Sequence, residues 1–399
     1  MAAVLVLGNY RQTLTVIRSL ARAGQKIILG VHGDAGTCDY SRFVSEVWNH
    51  PDPGTAQDDF FRALMDLLAD RDEIQAIIPV GEADIRHLLA GHQELSARTK
   101  ILMCGPELVT TCLDKSTMSA IVDSLGIPQA QHATVVDCDS LFSAADRIGY
   151  PCVVKLSDSE FLLRGEKARI YENANELRAD FPDWPAPDKS LIVQSYVSGD
   201  RMNLYFFALR GQITSLGQVR ALRTDRVDGT GLSVTGMTVA PDTTLVNQCQ
   251  TIVRHLNYAG VGCMQFLVNE ASGITSFLEH NPRLGAGFVL PYVAGLDLPL
   301  IMLNNALQEQ PIPKEPTYPC KVGIRYVWTT GDLRGLKSAI RNRELGFRSA
   351  GLWLLAMAKA NLTIRNHVSW DWRDPLPSIV QIARALNSLV KSLAPKKPG

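Results

Sequence analysis

The first hundred residues alternate short apolar runs with amphipathic ones. AAVLVLG (2–8), KIILGV (26–31), AIIPV (76–80) and KILMC (100–104) are continuous apolar runs of strand length. Between them, TLTVIRSLARAG sets Leu14, Ile17 and Leu20 on one helical face before Gly24 stops it, and DDFFRALMDLLAD reads as a second helix. Strands alternating with helices predict a parallel, doubly wound α/β sheet over residues 1–105. The turn after the first strand, VLGNYRQT, holds one glycine where a dinucleotide fingerprint needs GxGxxG, which argues against a dinucleotide site.

From about residue 106 the pattern changes. CGPELVTTCLDKSTMSAIVDSLGIPQAQ is mainly helical; YPCVVKLS, KARIYEN and SLIVQSYVSGDRMNLYFFALRGQITS read as strands and hairpins. A helix (TTLVNQCQTIVRHLN), a strand (VGCMQFLV), a turn (NEASG) and a strand (ITSFLEH) follow. This predicts an α+β domain over 106–312, in subdomains of about 106–187 and 188–312. The proline-rich QPIPKEPTY (310–318) marks a linker, and a small C-terminal domain fills 313–399, ending in the helical SIVQIARALNSLVKSL.

Composition narrows the classes. With 40 basic and 40 acidic residues, the chain shows no overall electrostatic footprint for nucleic acid or an anionic membrane. The longest apolar stretch, FVLPYVAGLDLPLIML (288–303), contains two prolines and Asp297 and is no membrane span. Eight scattered cysteines without a CxxC pair, and an N-terminus that reads as a buried strand, lead to the expectation of a cytoplasmic protein with reduced thiols.

The chemistry concentrates in FLEHNPRLGAG (277–287). On a strand, Glu279, Asn281 and Arg283 share one face until Pro282 ends the pairing. Gln265 lies mid-strand in VGCMQFLV, and antiparallel pairing brings Gln265, Glu279 and Asn281 onto one face. Three oxygen donors with one formal charge suit Mg²⁺, whose remaining shell is filled by water and phosphate oxygens. Arg283 then offers a planar cation to a phosphoryl group. The alternative is a polar strand end at which Arg283 neutralises Glu279.

On these residues the chain resembles the ATP-grasp superfamily, in the Gln/Glu/Asn form of the carbamoyl phosphate synthetase large subunit. DKSTMSAIVDSLGIP, YPCVVKLSDS and LIVQSYVSGD are similar to three further motifs of that family, in the same order. The resemblance implies a Rossmann-like pre-ATP-grasp domain, a two-subdomain ATP-grasp fold and a small C-terminal domain. It implies ATP and Mg²⁺ as cofactors, with Mn²⁺ a possible substitute. Lys115 and Lys155 would contact phosphates, Gln194 and the backbone of Tyr196 and Val197 the adenine edge, and Asp200 the ribose. Gln265, Glu279 and Asn281 would hold the metal, and Arg283 would stabilise the transferring phosphate. Taken alone, Lys115 also reads as a solvated helix-start lysine and Asp200 as a turn residue.

In RALRTDRVDGTGLSVTG (220–236), Arg223, Gly229, Gly231 and Ser233 match the outline of a family loop that contacts acceptor and phosphates; an exposed hairpin loop is the other reading. Glu82, at a strand end, is either a lining residue of the acceptor site or a helix N-terminal carboxylate. His280 points away from Glu279 and reads as structural. Two departures from the family stand out. The stretch SDSEFLLRGEK (157–167) carries one glycine where a glycine-rich lid is usual, and Arg201 occupies the usual position of a ribose-binding acid. The expected activity is an ADP-forming ligase that joins a carboxylate to an amine through an acyl phosphate. A non-catalytic ATP-binding regulator and a phosphotransferase are the alternatives. The expected partners are small-molecule carboxylate and amine substrates, with no nucleic acid and no membrane, and a homodimer is a possible assembly.

Overall fold

The computed structural model describes residues 2–33, 36–158, 162–185, 189–308 and 311–393. The chain divides into two compact units. The first comprises Met1–Met103, Ala221–Ala240 and Arg283–Gly399; the second comprises Cys104–Arg220 and Pro241–Pro282.

The first unit opens with β1 (Ala3–Leu7), β2 (Lys26–Val31), β3 (Glu46–Asn49), β4 (Ile74–Pro79) and β5 (Lys100–Ile101), parallel in the order β3-β2-β1-β4-β5. The continuous apolar runs lie at its centre: every residue of β1 is buried, with Leu5 and Leu7 packed on Phe60, Leu64 and Leu68 of the helix Gln57–Asp70. Edge strand β3 has no such run. Its residues alternate between half-buried and exposed, which is why no apolar run announces it.

The second unit holds a four-stranded antiparallel sheet built from β6 (His132–Val135), β7 (Cys152–Leu156), β8 (Arg169–Tyr171) and β9 (Leu191–Ser195), in the order β6-β9-β7-β8. One face is apolar. Cys152, Val154 and Leu156 of β7 and Leu191 and Val193 of β9 pack on Leu141, Ala144 and Ala145 of the helix Cys138–Ile148 and on Leu177 of the helix Ala174–Asp180. That helix pair leaves the opposite face open for polar side chains.

A second antiparallel sheet uses β10 (Asp200–Leu209) and β11 (Gln212–Thr224), which carries the chain back to the first unit at Arg220. The next strand, β12 (Ser233–Val239), belongs to the first unit. Then β13 (Gly260–Asn269) and β14 (Ile274–Asn281) complete the second unit's sheet, with β13 between β14 and β10. In the first unit β12 pairs antiparallel with β15 (Arg325–Val327), which pairs parallel with β16 (Asn366–His367).

Two segments expected within the middle domain, Ala221–Ala240 and 283–312, thus belong to the first unit. The reasons are specific. Thr235 pairs with Val327 across β12 and β15, and Ser19 on the helix Thr13–Arg22 donates its hydroxyl to Asp297, which caps the helix Leu298–Leu307. Parts of three further expectations, residues 159–161 of the lid, 310 of the linker and 394–399 of the C-terminal domain, lie outside the described residues. None of the eight cysteines forms a disulfide. Among the described residues, no helix is long and apolar enough to cross a membrane.

Candidate functional site

The hairpin β13–β14 sets Gln265 directly opposite Glu279, and Cys263 opposite Asn281. Strand alternation therefore puts Gln265, Glu279 and Asn281 on one face. A register shift between Gln265 and Phe266 keeps Phe277 paired to Phe266 in the core while Glu279 meets Gln265. Asn281 Nδ2 donates to Glu279 Oε1 at 2.8 Å. His280 takes the other face, buried between the rings of Phe206 and Tyr258, where burial pushes its imidazole down to about 3.

Burial raises the Glu279 carboxyl, but the Asn281 bond and the cations of Lys115, Lys155 and Lys167 outweigh it and hold it below the usual range. Glu279 is therefore a carboxylate at neutral pH. Lys155 lies on β7 in register with Ile192, and Val153 in register with Gln194, so Lys155 and Gln194 share the face that the helices leave open. Burial and the neighbouring Lys115 push the Lys155 ammonium down to about 8, against the pull of Glu279. Lys115 opens the helix Lys115–Ser124, capped by Asp114, and donates to the Leu156 carbonyl at 2.9 Å. One cleft is lined by Lys115, Met118, Lys155, Glu279 and Asn281, all within the second unit.

The profile described as "Carbamoyl-phosphate synthase L chain, ATP binding domain" matches residues 235–310. The chain is 26% identical over 233 residues to the "Carbamoyl phosphate synthase large chain, C-terminal section" of Methanocaldococcus jannaschii, covering 54% of this chain and 36% of that relative. Among solved structures, an L-amino acid ligase from Bacillus licheniformis superposes with a TM-score of 0.61 at 12% identity, covering 77% of this chain and 74% of the other. The biotin carboxylase domain of Hydrogenobacter thermophilus 2-oxoglutarate carboxylase, solved with MgADP, ADP and bicarbonate, superposes with a TM-score of 0.61 at 15% identity over 82% of this chain and 73% of the other.

These similarities agree with the resemblance to the ATP-grasp superfamily that the sequence motifs carry. It spans about a third of the length of the curated relatives it matches.

Sequence reasoning did not single out two residues that bear on Gln265 and Glu279. Asn203 on β10 stands in register with Gln265; it is 7% exposed, and its Oδ1 has no hydrogen-bond partner. A lone carboxamide inside the apolar run MNLYFF was the available signal. Lys167 acts on Glu279 from the loop before β8, and nothing local distinguishes it from a solvated lysine. A carboxylate and two amide side chains on one hairpin face, beside a buried amide oxygen without a partner, form a hard donor set that fits Mg²⁺. Among the described residues no three His, Cys, Asp or Glu gather, as expected for a set with a single acid.

Other residues expected to contact nucleotide or acceptor have partners elsewhere. The Tyr196 N–H donates to the Pro151 carbonyl at 3.1 Å, so an adenine would compete with that bond for this amide; Val197 follows it on the same segment. Asp200 accepts from Arg220 Nη2 at 2.5 Å, and Arg220 also binds Glu270, so a ribose would compete with an ion pair. In the first unit, Arg223 forms a two-pronged pair with Asp332, which is fully buried, and its guanidinium lies 5.6 Å from the Trp353 ring centroid. A contact of Arg223 with a phosphate or acceptor would therefore compete with this ion pair. Ser233 Oγ donates to the Thr235 carbonyl. Gly229 and Gly231 have φ of +79° and +80° and turn a loop that Asp225 closes by accepting from the Leu232 amide. Arg283 lies 3.6 Å from Glu82, which begins the helix Glu82–Leu89.

Proposed function

We propose that the chain is an ATP-dependent, ADP-forming ligase that activates a substrate carboxylate as an acyl phosphate for attack by an amine. The convergence of Lys115, Lys155 and the Glu279–Asn281 pair in one cleft carries this reading, because it supplies two cations for phosphates and one carboxylate for a metal. Gln194 and Val197 would hold the adenine edge, with Asp200 near the ribose. Gln265, Glu279 and Asn281 would hold Mg²⁺, which supplies neutralisation of the phosphate charge when bound.

Lys155 and Lys115 would orient the phosphates as point charges. Lys155 is well suited, since a polyanion restores the proton that burial weakens. Arg283, two residues beyond Asn281 in the chain, would balance charge on the phosphoryl group as it transfers, exchanging its contact with Glu82. A carboxylate oxygen of the substrate attacks the γ-phosphorus in line, the bond to the β-phosphate oxygen breaks, and ADP leaves. The amine nitrogen then attacks the acyl carbon, its proton is lost, and phosphate departs. Catalysis on this reading is positioning and electrostatics.

The test is incubation with Mg·ATP, hydroxylamine and pooled carboxylic acids. A hydroxamate formed together with ADP supports the ligase and identifies the acid. ADP with a stable phosphorylated product and no hydroxamate replaces it with a phosphotransferase. ATP binding without ADP from any pool replaces it with a regulatory clamp.

A further inference from the structure

The helix Phe347–Thr363 turns its leucines to water, where a surface helix usually buries its apolar stripe. None of its residues is buried. Its inward side is half-buried at Ala350, Trp353, Met357, Ala360 and Asn361; Trp353 Nε1 donates to Asp332 at 2.6 Å, and Asn361 Oδ1 accepts from the Thr329 hydroxyl. The side facing water mixes leucines with basic residues. Leu352, Leu355 and Leu362, spaced to share one face, are 67%, 68% and 87% exposed, Phe347 at the helix start is fully exposed, and the exposed Arg348 and Lys359 fall between the leucines on that face. Large apolar side chains exposed together in this way mark an interaction surface.

Charge identifies the occupant. Residues 329–365 contain seven basic side chains and two acidic ones. Arg341, Arg343, Arg348, Lys359 and Arg365 are all exposed, whereas Asp332 is buried against Arg223, leaving Glu344 as the one exposed acid of the segment. The balanced charge of the whole chain conceals this segregation. A second copy meets the face poorly, because a two-fold contact sets the same basic patch against itself. The helix, carrying Lys359 within 17 residues, does not qualify as a span.

We propose that this face docks on an anionic lipid surface, with the helix Phe347–Thr363 lying in the plane of the interface, its leucines inserted and its interleaved and neighbouring basic side chains reaching the headgroups. Such binding joins buried apolar area to attraction for anionic lipid.

The test is co-sedimentation of the full chain with vesicles of phosphatidylcholine alone and with phosphatidylglycerol added. The chain is expected to sediment with the anionic vesicles only and to be released at an ionic strength of about 1 M, where screening acts within about 3 Å. Combined Leu352→Ser, Leu355→Ser and Leu362→Ser substitutions should weaken partition by more than about tenfold. Arg341→Glu, Arg343→Glu and Arg348→Glu together should weaken it by about 100-fold, at roughly fivefold per charge removed. Both variants alter exposed side chains, so unchanged thermal melting should accompany these losses. The proposal is overturned by equal sedimentation with both lipids, by no sedimentation, or by variants that sediment like the parent. A dimer in light scattering that the serine variant dissociates, without vesicle binding, reassigns the face to a second copy.

Discussion

Glu279 stands directly across the β13–β14 ladder from Gln265 and accepts a hydrogen bond from Asn281 two residues along its own strand. One carboxylate is thus held between two carboxamides, and Lys115, Lys155 and Lys167 keep it ionised. Glu279→Gln removes the one negative charge of the set while preserving its shape. We expect kcat for ATP turnover to fall by about 10³-fold or more, with circular dichroism unchanged. Turnover within a few-fold of the parent would remove Glu279 from the active site.

On the proposed placement, Lys155 should make nucleotide binding pH-dependent. Its ammonium is lowered to about 8 in the folded chain, below its ordinary value, so between these values the unfolded chain binds more protons and Lys155 makes stability rise with pH. A bound polyphosphate reverses the shift. Calorimetric titration near pH 8 in buffers of different ionisation enthalpy should show proton uptake on binding ATP. Affinity should fall as pH rises above about 8, and Lys155→Met should abolish both effects. A flat profile in the parent contradicts the placement of Lys155 against phosphate.

Asn203 carries a stability cost that a bound metal would relieve on the proposed reading. Its Oδ1 is buried beside Gln265 without a partner, and such a group costs about 1–3 kcal/mol. Asn203→Leu, of similar volume, should raise the melting temperature of the nucleotide-free protein while weakening its Mg²⁺-dependent affinity for ATP. A loss of stability instead would make Asn203 a structural residue.

Arg223 and Asp332 should behave as a stability pair. Asp332→Ala strands the guanidinium and removes the acceptor of Trp353, which should cost about 3–5 kcal/mol in urea unfolding. Arg223→Met combined with Asp332→Leu should cost less than the two single changes summed. If Arg223→Met leaves stability intact and lowers kcat alone, the catalytic reading of Arg223 stands.

The parallel sheet and its interleaved helices were legible because their apolar runs and helical faces are local patterns. Lys155 was legible for a related reason: it follows two valines in a strand that backs onto a core. The commitments of Arg223 and Asp200 were not. Asp332 lies 109 residues beyond Arg223 and Arg220 lies 20 beyond Asp200, separations over which no periodicity runs.

By itself, the sequence determined which side chains share a face of one element: Gln265 by its place in a strand, Glu279 and Asn281 by alternation, and the leucines of Phe347–Thr363 by helical spacing. Only the tertiary structure decided what each face meets. It placed the lysines against Glu279, Asn203 beside Gln265, and the leucines of Phe347–Thr363 in water. The physical reason is that periodicity is a property of the local backbone, whereas a face acquires its partner through contacts closed between distant segments of the chain.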